Sequence, residues 1–151
     1  MATQMQMARE GKISDAMKVV AESEKIPVEK IREGVAQGVI TICANINHKN
    51  LKPCGVGAGL RTKVNANIGT SSTFPDIEPE LVKLDEAIRC GADSVMDLST
   101  GNNIDLSRKK IIAHSPIMVG TVPIYQATVE AIKAHGAIVS MTEDDLLKTI
   151  E

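Results

Sequence analysis

Lys63–Gly69 (KVNANIG), Ser94–Gly101 (SVMDLSTG) and Val119–Ala127 (VGTVPIYQA) are short apolar stretches that break off in polar or glycine-bearing residues. Each reads as a buried strand. Asn67, Met96 and Tyr125 stand near the ends of the three, at an interval of 29 residues. A repeating strand–helix unit of this size is what a parallel sheet requires, because the chain must return through a helix before it can pair again in the same direction. Ligands of such sheets bind at the carboxyl ends of the strands. That places Asn67, Met96 and Tyr125 on the face where a site is expected.

Outward from these strands, the rhythm continues in helices. Glu78–Cys90 carries Leu81, Leu84, Ala87 and Ile88 on one face and stops at Gly91; Leu106–His114 ends before Pro116; Ala127–His135 stops at Gly136. Glu143–Ile150 is a last helical stretch capped by Thr142. Upstream, Thr3–Glu10, a segment capped by Ser14 that runs to about Glu22, and a third segment opened by Pro27 or Val28 and running to about Gln37 with Gly38 as its stop all read as helices. Val39–Ala44 is a candidate strand, and Asn45–Leu60 (NINHKNLKPCGVGAGL) reads as an irregular loop. Its glycines precede a strand rather than join a strand to a helix, so they form no phosphate-cradling turn. The chain thus divides into 1–60, helical with a Gly/Asn-rich loop, and 61–151, three βα units. A complete eight-stranded β/α barrel takes about 250 residues. The expected fold class is α/β: an N-terminal helical segment followed by the first strand–helix units of a TIM-type β/α barrel, incomplete in this chain. Exposed sheet edges favour self-association into a homo-oligomer.

Composition narrows the function classes. A formal net charge of −2 over 151 residues gives no basic surface for nucleic acid or anionic lipid. No apolar run is long enough to span a membrane, and the polar start MATQMQMARE lacks a signal-peptide core. Three cysteines, an odd count, point to a reducing compartment, the cytoplasm. Cys43, Cys54 and Cys90 match no cluster or zinc spacing, His48, His114 and His135 are equally scattered, and the thiols are expected to be free and buried. Phe74 and Tyr125 are the only aromatic residues, so Tyr125 is the one available phenol. On spacing alone, Asn67 serves as a ligand contact or as a buried amide for loop backbone. Met96 alone is core filler before it is a pocket wall, and Tyr125 divides evenly between core and site. Asp97 and Ser99 follow Met96 on the same expected face; Asp97 reads as a turn cap or a partner of Lys63 or Arg61.

The strings VNANIGTS, GADSVMDLSTG and GTVPIYQA, with TQMQMAREGKIS, IREGVAQGVI and NINHKNLKPCGVGAGLRTK upstream, resemble phosphomethylpyrimidine synthases, the ThiC family of thiamine biosynthesis. The resemblance runs from Thr3 to about Glu151 and is closest to the form without an extended N-terminal domain. It implies radical rearrangement of 5-aminoimidazole ribonucleotide to 4-amino-5-hydroxymethyl-2-methylpyrimidine phosphate, with S-adenosylmethionine, a [4Fe–4S] cluster and zinc, usually in a homodimer. It also implies substrate contacts at Asn67, Met96 and Tyr125. The family's remaining substrate contacts, its two metal-binding histidines and its Cys-x2-Cys-x4-Cys motif have no counterpart among these residues. The expectation is therefore an N-terminal portion, inactive by itself, ending within a helix. The alternative is a stand-alone, non-catalytic module that binds a nucleotide-like ligand or an assembly partner.

Overall fold

The computed structural model describes residues 2–150. The chain divides into two units, one running to Val64 with Pro116–Met118 added, the other comprising Asn65–Ser115 and the residues from Val119 on.

The first unit begins with three helices, α1 (Gln4–Arg9), α2 (Asp15–Glu24) and α3 (Val28–Gln37). Their starts are written locally. Thr3 Oγ1 accepts the Gln6 N–H while Gln6 Oε1 accepts the Thr3 N–H, a reciprocal capping box. Ser14 Oγ accepts the Met17 N–H at 3.2 Å. The chain leaves α3 through Gly38 in the left-handed conformation. Ala8, Met17, Val20, Ala21, Ile31, Val35 and Ile40 make the core.

The expected loop Asn45–Leu60 is corrected in part. Cys54–Gly57 is a strand, β2, paired antiparallel with β1 (Ile40–Cys43) from Ile40 opposite Gly57 to Cys43 opposite Cys54. Two of the glycines read there as loop residues allow close packing. A Cβ on Gly55 would lie 2.5 Å from Val20 Cγ1, and one on Gly57 would lie 2.2 Å from the Val39 carbonyl oxygen.

The second unit alternates β3 (Asn65–Ile68), α4 (Glu78–Arg89), β4 (Ser94–Asp97), α5 (Ile104–His114), β5 (Met118–Thr121) and α6 (Pro123–His135). A short 3-10 turn at Ile138–Ser140 and α7 (Glu143–Ile150) follow. The sheet order is β3-β4-β5, with β3 parallel to β4 in a register running from Asn65 opposite Ser94 to Ile68 opposite Asp97. The helices bury Leu84 on α4, Ile104 and Ile111 on α5, and Ala127 and Ala131 on α6. Architecture here is mixed α/β. α7 starts as its sequence suggests: Thr142 Oγ1 accepts the Asp145 N–H, and Asp145 Oδ2 accepts the Thr142 N–H at 2.8 Å. The Thr142 N–H, and the Thr142 hydroxyl donating to the same Oδ2 at 2.8 Å, hold the Asp145 carboxyl below its usual range.

Two further expectations are corrected. α6 begins at Pro123 rather than Ala127, because Pro at the first helical position is preorganised for the turn; Tyr125 therefore rides a helix and not a strand end. The thiols are not all buried, since Cys90 is exposed and Cys43 and Cys54 are half-buried.

Candidate functional site

Alternation along the strands sorts the sheet into two faces. Ile68, Val95 and Asp97 are buried on one; Asn65 and Asn67 of β3 and Ser94 and Met96 of β4 are exposed or half-buried on the other. The parallel register sets Asn67 directly beside Met96. This open face is polar on β3 and, at Met96, apolar.

Met96 also reaches toward β5. A Cβ on Gly120 would meet the Met96 sulfur at 2.3 Å, so the thioether lies over the one position of β5 that has no side chain. Tyr125, in the first turn of α6, donates its N–H to the Val122 carbonyl at 3.0 Å and is 42% exposed. Its phenol makes no hydrogen bond among the described residues. Asn67 and Met96 are thus brought together by strand register, whereas Tyr125 is carried by the first turn of the helix that follows β5.

Beneath the open face the strand ends are tied by a buried polar network. Leu98 N–H donates to the Ile68 carbonyl and Thr100 N–H to the Thr70 carbonyl, each at 2.8 Å, extending the β3–β4 pairing past the strands. Glu80, on the first turn of α4 and 2% exposed, accepts the Gly69 N–H at 2.7 Å through Oε2, and its Oε1 takes Lys83 Nζ at 2.7 Å. Ser99 Oγ accepts the Thr70 N–H at 3.1 Å and donates to Asp97 Oδ1 at 2.5 Å. Asp97 also accepts the Ser99 N–H at 3.0 Å, which makes it a turn cap; Lys63 pairs instead with Glu24 at 2.9 Å. Two consecutive amides of the β3–α4 turn are therefore held by side chains from α4 and from the end of β4. No sequence motif announces Glu80 in this role, because its partner is a backbone group eleven residues away.

On the open face Ser94 Oγ donates to Asn65 Oδ1 at 2.9 Å, and Asn65 Nδ2 donates to Asn67 Oδ1 at 3.0 Å. The NAN alternation was the available signal that Asn65 shares the Asn67 face.

Comparison with known proteins fixes the family. A model of the radical SAM ThiC family matches residues 3–151. The chain belongs to that family. It is 58% identical over 149 residues to a phosphomethylpyrimidine synthase of Desulforamulus reducens and 56% identical over 149 residues to one of Moorella thermoacetica, covering 99% of this chain in both cases. It is also 54% identical over 144 residues, 95% of this chain, to the 5-hydroxybenzimidazole synthase BzaB of Moorella thermoacetica. The chain spans about a third of the length of the curated relatives it matches, 34% in each of these.

The donor set does not fit an iron–sulfur cluster or a zinc ion. Among the described residues no three His, Cys, Asp or Glu side chains gather as a metal site. Cys43 and Cys54 oppose each other across β1 and β2, and the exposed Cys90 belongs to the other unit. Glu86 accepts the Cys90 thiol proton at 3.5 Å, and the adjoining carboxylate pushes that thiol up from its ordinary value, away from the thiolate a metal would bind. Among the described residues no helix is long and apolar enough to cross a membrane.

Proposed function

We propose that these residues form one wall of the substrate site of a phosphomethylpyrimidine synthase, acting on 5-aminoimidazole ribonucleotide in thiamine biosynthesis. The observation that carries this reading is the pairing of Asn67 with Met96 on the open face of β3 and β4, in a chain 58% identical to a synthase. An amide and a thioether side by side offer a hydrogen-bonding group and a polarizable apolar surface, suited to the polar edge and the flat face of an aminoimidazole. Tyr125 adds a ring with a polar tip from the start of α6. The alternation β3-α4-β4-α5-β5-α6 is read as the opening units of a β/α barrel, with the site at the carboxyl ends of its strands.

The radical chemistry in the family's description calls for S-adenosylmethionine and a [4Fe–4S] cluster, and the resemblance adds zinc. Since the residues here hold none of them, no step is derived through those groups. The role assigned to this chain is substrate binding, and the 151 residues alone are proposed to be inactive. A cytoplasmic homo-oligomer is the proposed setting. A non-catalytic module remains the alternative of a different class; an S-adenosylmethionine-dependent product from the whole enzyme would exclude it.

A second catalytic reading is favoured by the 54% identity to a 5-hydroxybenzimidazole synthase, close to the values for the pyrimidine synthases. Both are decided by incubating the whole enzyme that carries this segment with aminoimidazole ribonucleotide, reductant and S-adenosylmethionine, and identifying the product by mass spectrometry. Hydroxymethylpyrimidine phosphate, lost in Asn67→Ala, is the expected result. Formation of 5-hydroxybenzimidazole instead would replace the first reading with the second.

A further inference from the structure

The open face of β3 and β4 contains a directed chain of side-chain hydrogen bonds. Ser94 Oγ donates to Asn65 Oδ1 at 2.9 Å, and Asn65 Nδ2 donates to Asn67 Oδ1 at 3.0 Å. Each amide carbonyl thereby accepts one bond from behind; the Asn65 NH2 donates onward, and the Asn67 NH2 makes no hydrogen bond among the described residues. In the direction the structure shows, the Ser94 hydroxyl donates and both amide carbonyls accept, which leaves the Asn67 NH2 as the group that Asn65 does not engage. The strand geometry makes this arrangement persistent. Asn65 and Asn67 are two residues apart and share a face, and Ser94 is the register partner of Asn65.

We infer that Ser94 and Asn65 are positioning residues that fix the Asn67 amide with its NH2 toward the ligand, so that the ligand atom met there is a hydrogen-bond acceptor: an unprotonated ring nitrogen or a sugar or phosphate oxygen. The inference deepens the reading of Asn67 as a substrate contact and rests on it. Its consequence is selectivity. A ligand presenting only an N–H at that point would face another donor, and a site whose polar group is left unpaired discriminates strongly against such a ligand.

Asn65 and Asn67 are exposed, so substitutions of Asn65 should leave the fold intact. Affinity of the whole enzyme for aminoimidazole ribonucleotide, measured by calorimetry without S-adenosylmethionine, is the primary readout. Asn65→Leu frees the Asn67 amide to turn either way and is expected to weaken binding about threefold, the order of one lost orienting hydrogen bond. Asn65→Asp should accept the Asn67 NH2 and turn the Asn67 carbonyl to the ligand, with a loss of about tenfold or more. The added negative charge also repels the ligand phosphate, but that part is screened by salt whereas the reversed amide is not. The tenfold loss should therefore persist at high salt, and the Asn67 side-chain NH2 resonances should shift on ligand addition in the wild type but not in Asn65→Asp. Wild-type affinity in both variants, or a loss in Asn65→Asp that disappears with salt, would overturn the relay. Failure of the wild type to bind the ribonucleotide would instead overturn the substrate reading, while the resonances of the free protein would still report which way the Asn67 amide is held.

Discussion

At the scale of single residues, Met96 and Glu24 illustrate how much a neighbour decides. Met96 keeps its place over β5 because position 120 has no Cβ; one built there would be 2.3 Å from its sulfur. A thioether can move, so Gly120→Ala is expected to displace Met96 rather than unfold the protein. Its outcome should be weaker binding of aminoimidazole ribonucleotide by the whole enzyme with an unchanged melting temperature, and an unchanged affinity would remove Met96 from the pocket wall. In the first unit, Glu24 and Lys63 pair at 2.9 Å with side chains only 5% and 9% exposed. Burial favours the neutral carboxyl, but the Lys63 ammonium and the Arg61 N–H outweigh it and hold the Glu24 carboxyl below its usual range. A folded pKa below the unfolded value of about 4.3 adds stability that is complete above that pH and lost as pH falls through the folded value. Denaturant midpoints taken from pH 6 downward should therefore fall less steeply in Glu24→Gln than in the wild type. Lys63→Met, which strands a buried carboxylate, should cost about 3 kcal/mol at neutral pH.

At the scale of elements, the sequence was most informative where apolar periodicity and stop signals agree. α4 has its register of apolar residues and its glycine stop, and β4 its short run that breaks off before Ser99–Gly101, so both lie where the pattern puts them to within a residue. β2 was illegible because glycine in a strand looks like glycine in a loop until Val20 and Val39 are seen against it. The start of α6 was hidden by Pro123, which the pattern reads as a break and the helix uses as its first residue. The adjacency of Asn67 and Met96 was legible from their matching strand positions, and alternation with the same 29-residue interval puts Asn65 and Ser94 beside them; Glu80 acts through a backbone amide that no spacing rule encodes. The β3–α4 turn is the element on which these converge. Gly69 has φ +146°, and a Cβ there would lie 2.6 Å from the Ser99 nitrogen and 2.7 Å from the Leu98 carbonyl carbon, both backbone. Backbone cannot swing aside as Met96 can. Gly69→Ala should accordingly destabilise by about 3 kcal/mol from strain and overlap combined, read from urea unfolding. A change of under about 0.5 kcal/mol, the usual range for a tolerant surface site, would show that the strand ends are not pressed together in this way.

At the scale of the whole molecule, the open face and the strand edges pose one problem. The β3-β4-β5 sheet has a face carrying Asn65, Asn67, Ser94 and Met96, and among the described residues no further strand pairs with β3 or β5. Unpaired strand edges expose donors and acceptors that another chain can satisfy. In a barrel those edges would be closed by further strands and the face would become an interior, where an Asn–Met pair could be shielded from water around a substrate. For the 151-residue polypeptide produced by itself, the same edges should drive association with a second copy. Sedimentation velocity over a range of concentrations should then give a weight-average mass rising above 16.1 kDa, the mass of one chain. The effect should persist at high salt, since it arises from backbone pairing and apolar contact rather than from the small net charge of −2. A single 16.1 kDa species at all concentrations would mean that the edges are already protected, and that the open face is stable in water without a barrel closed around it.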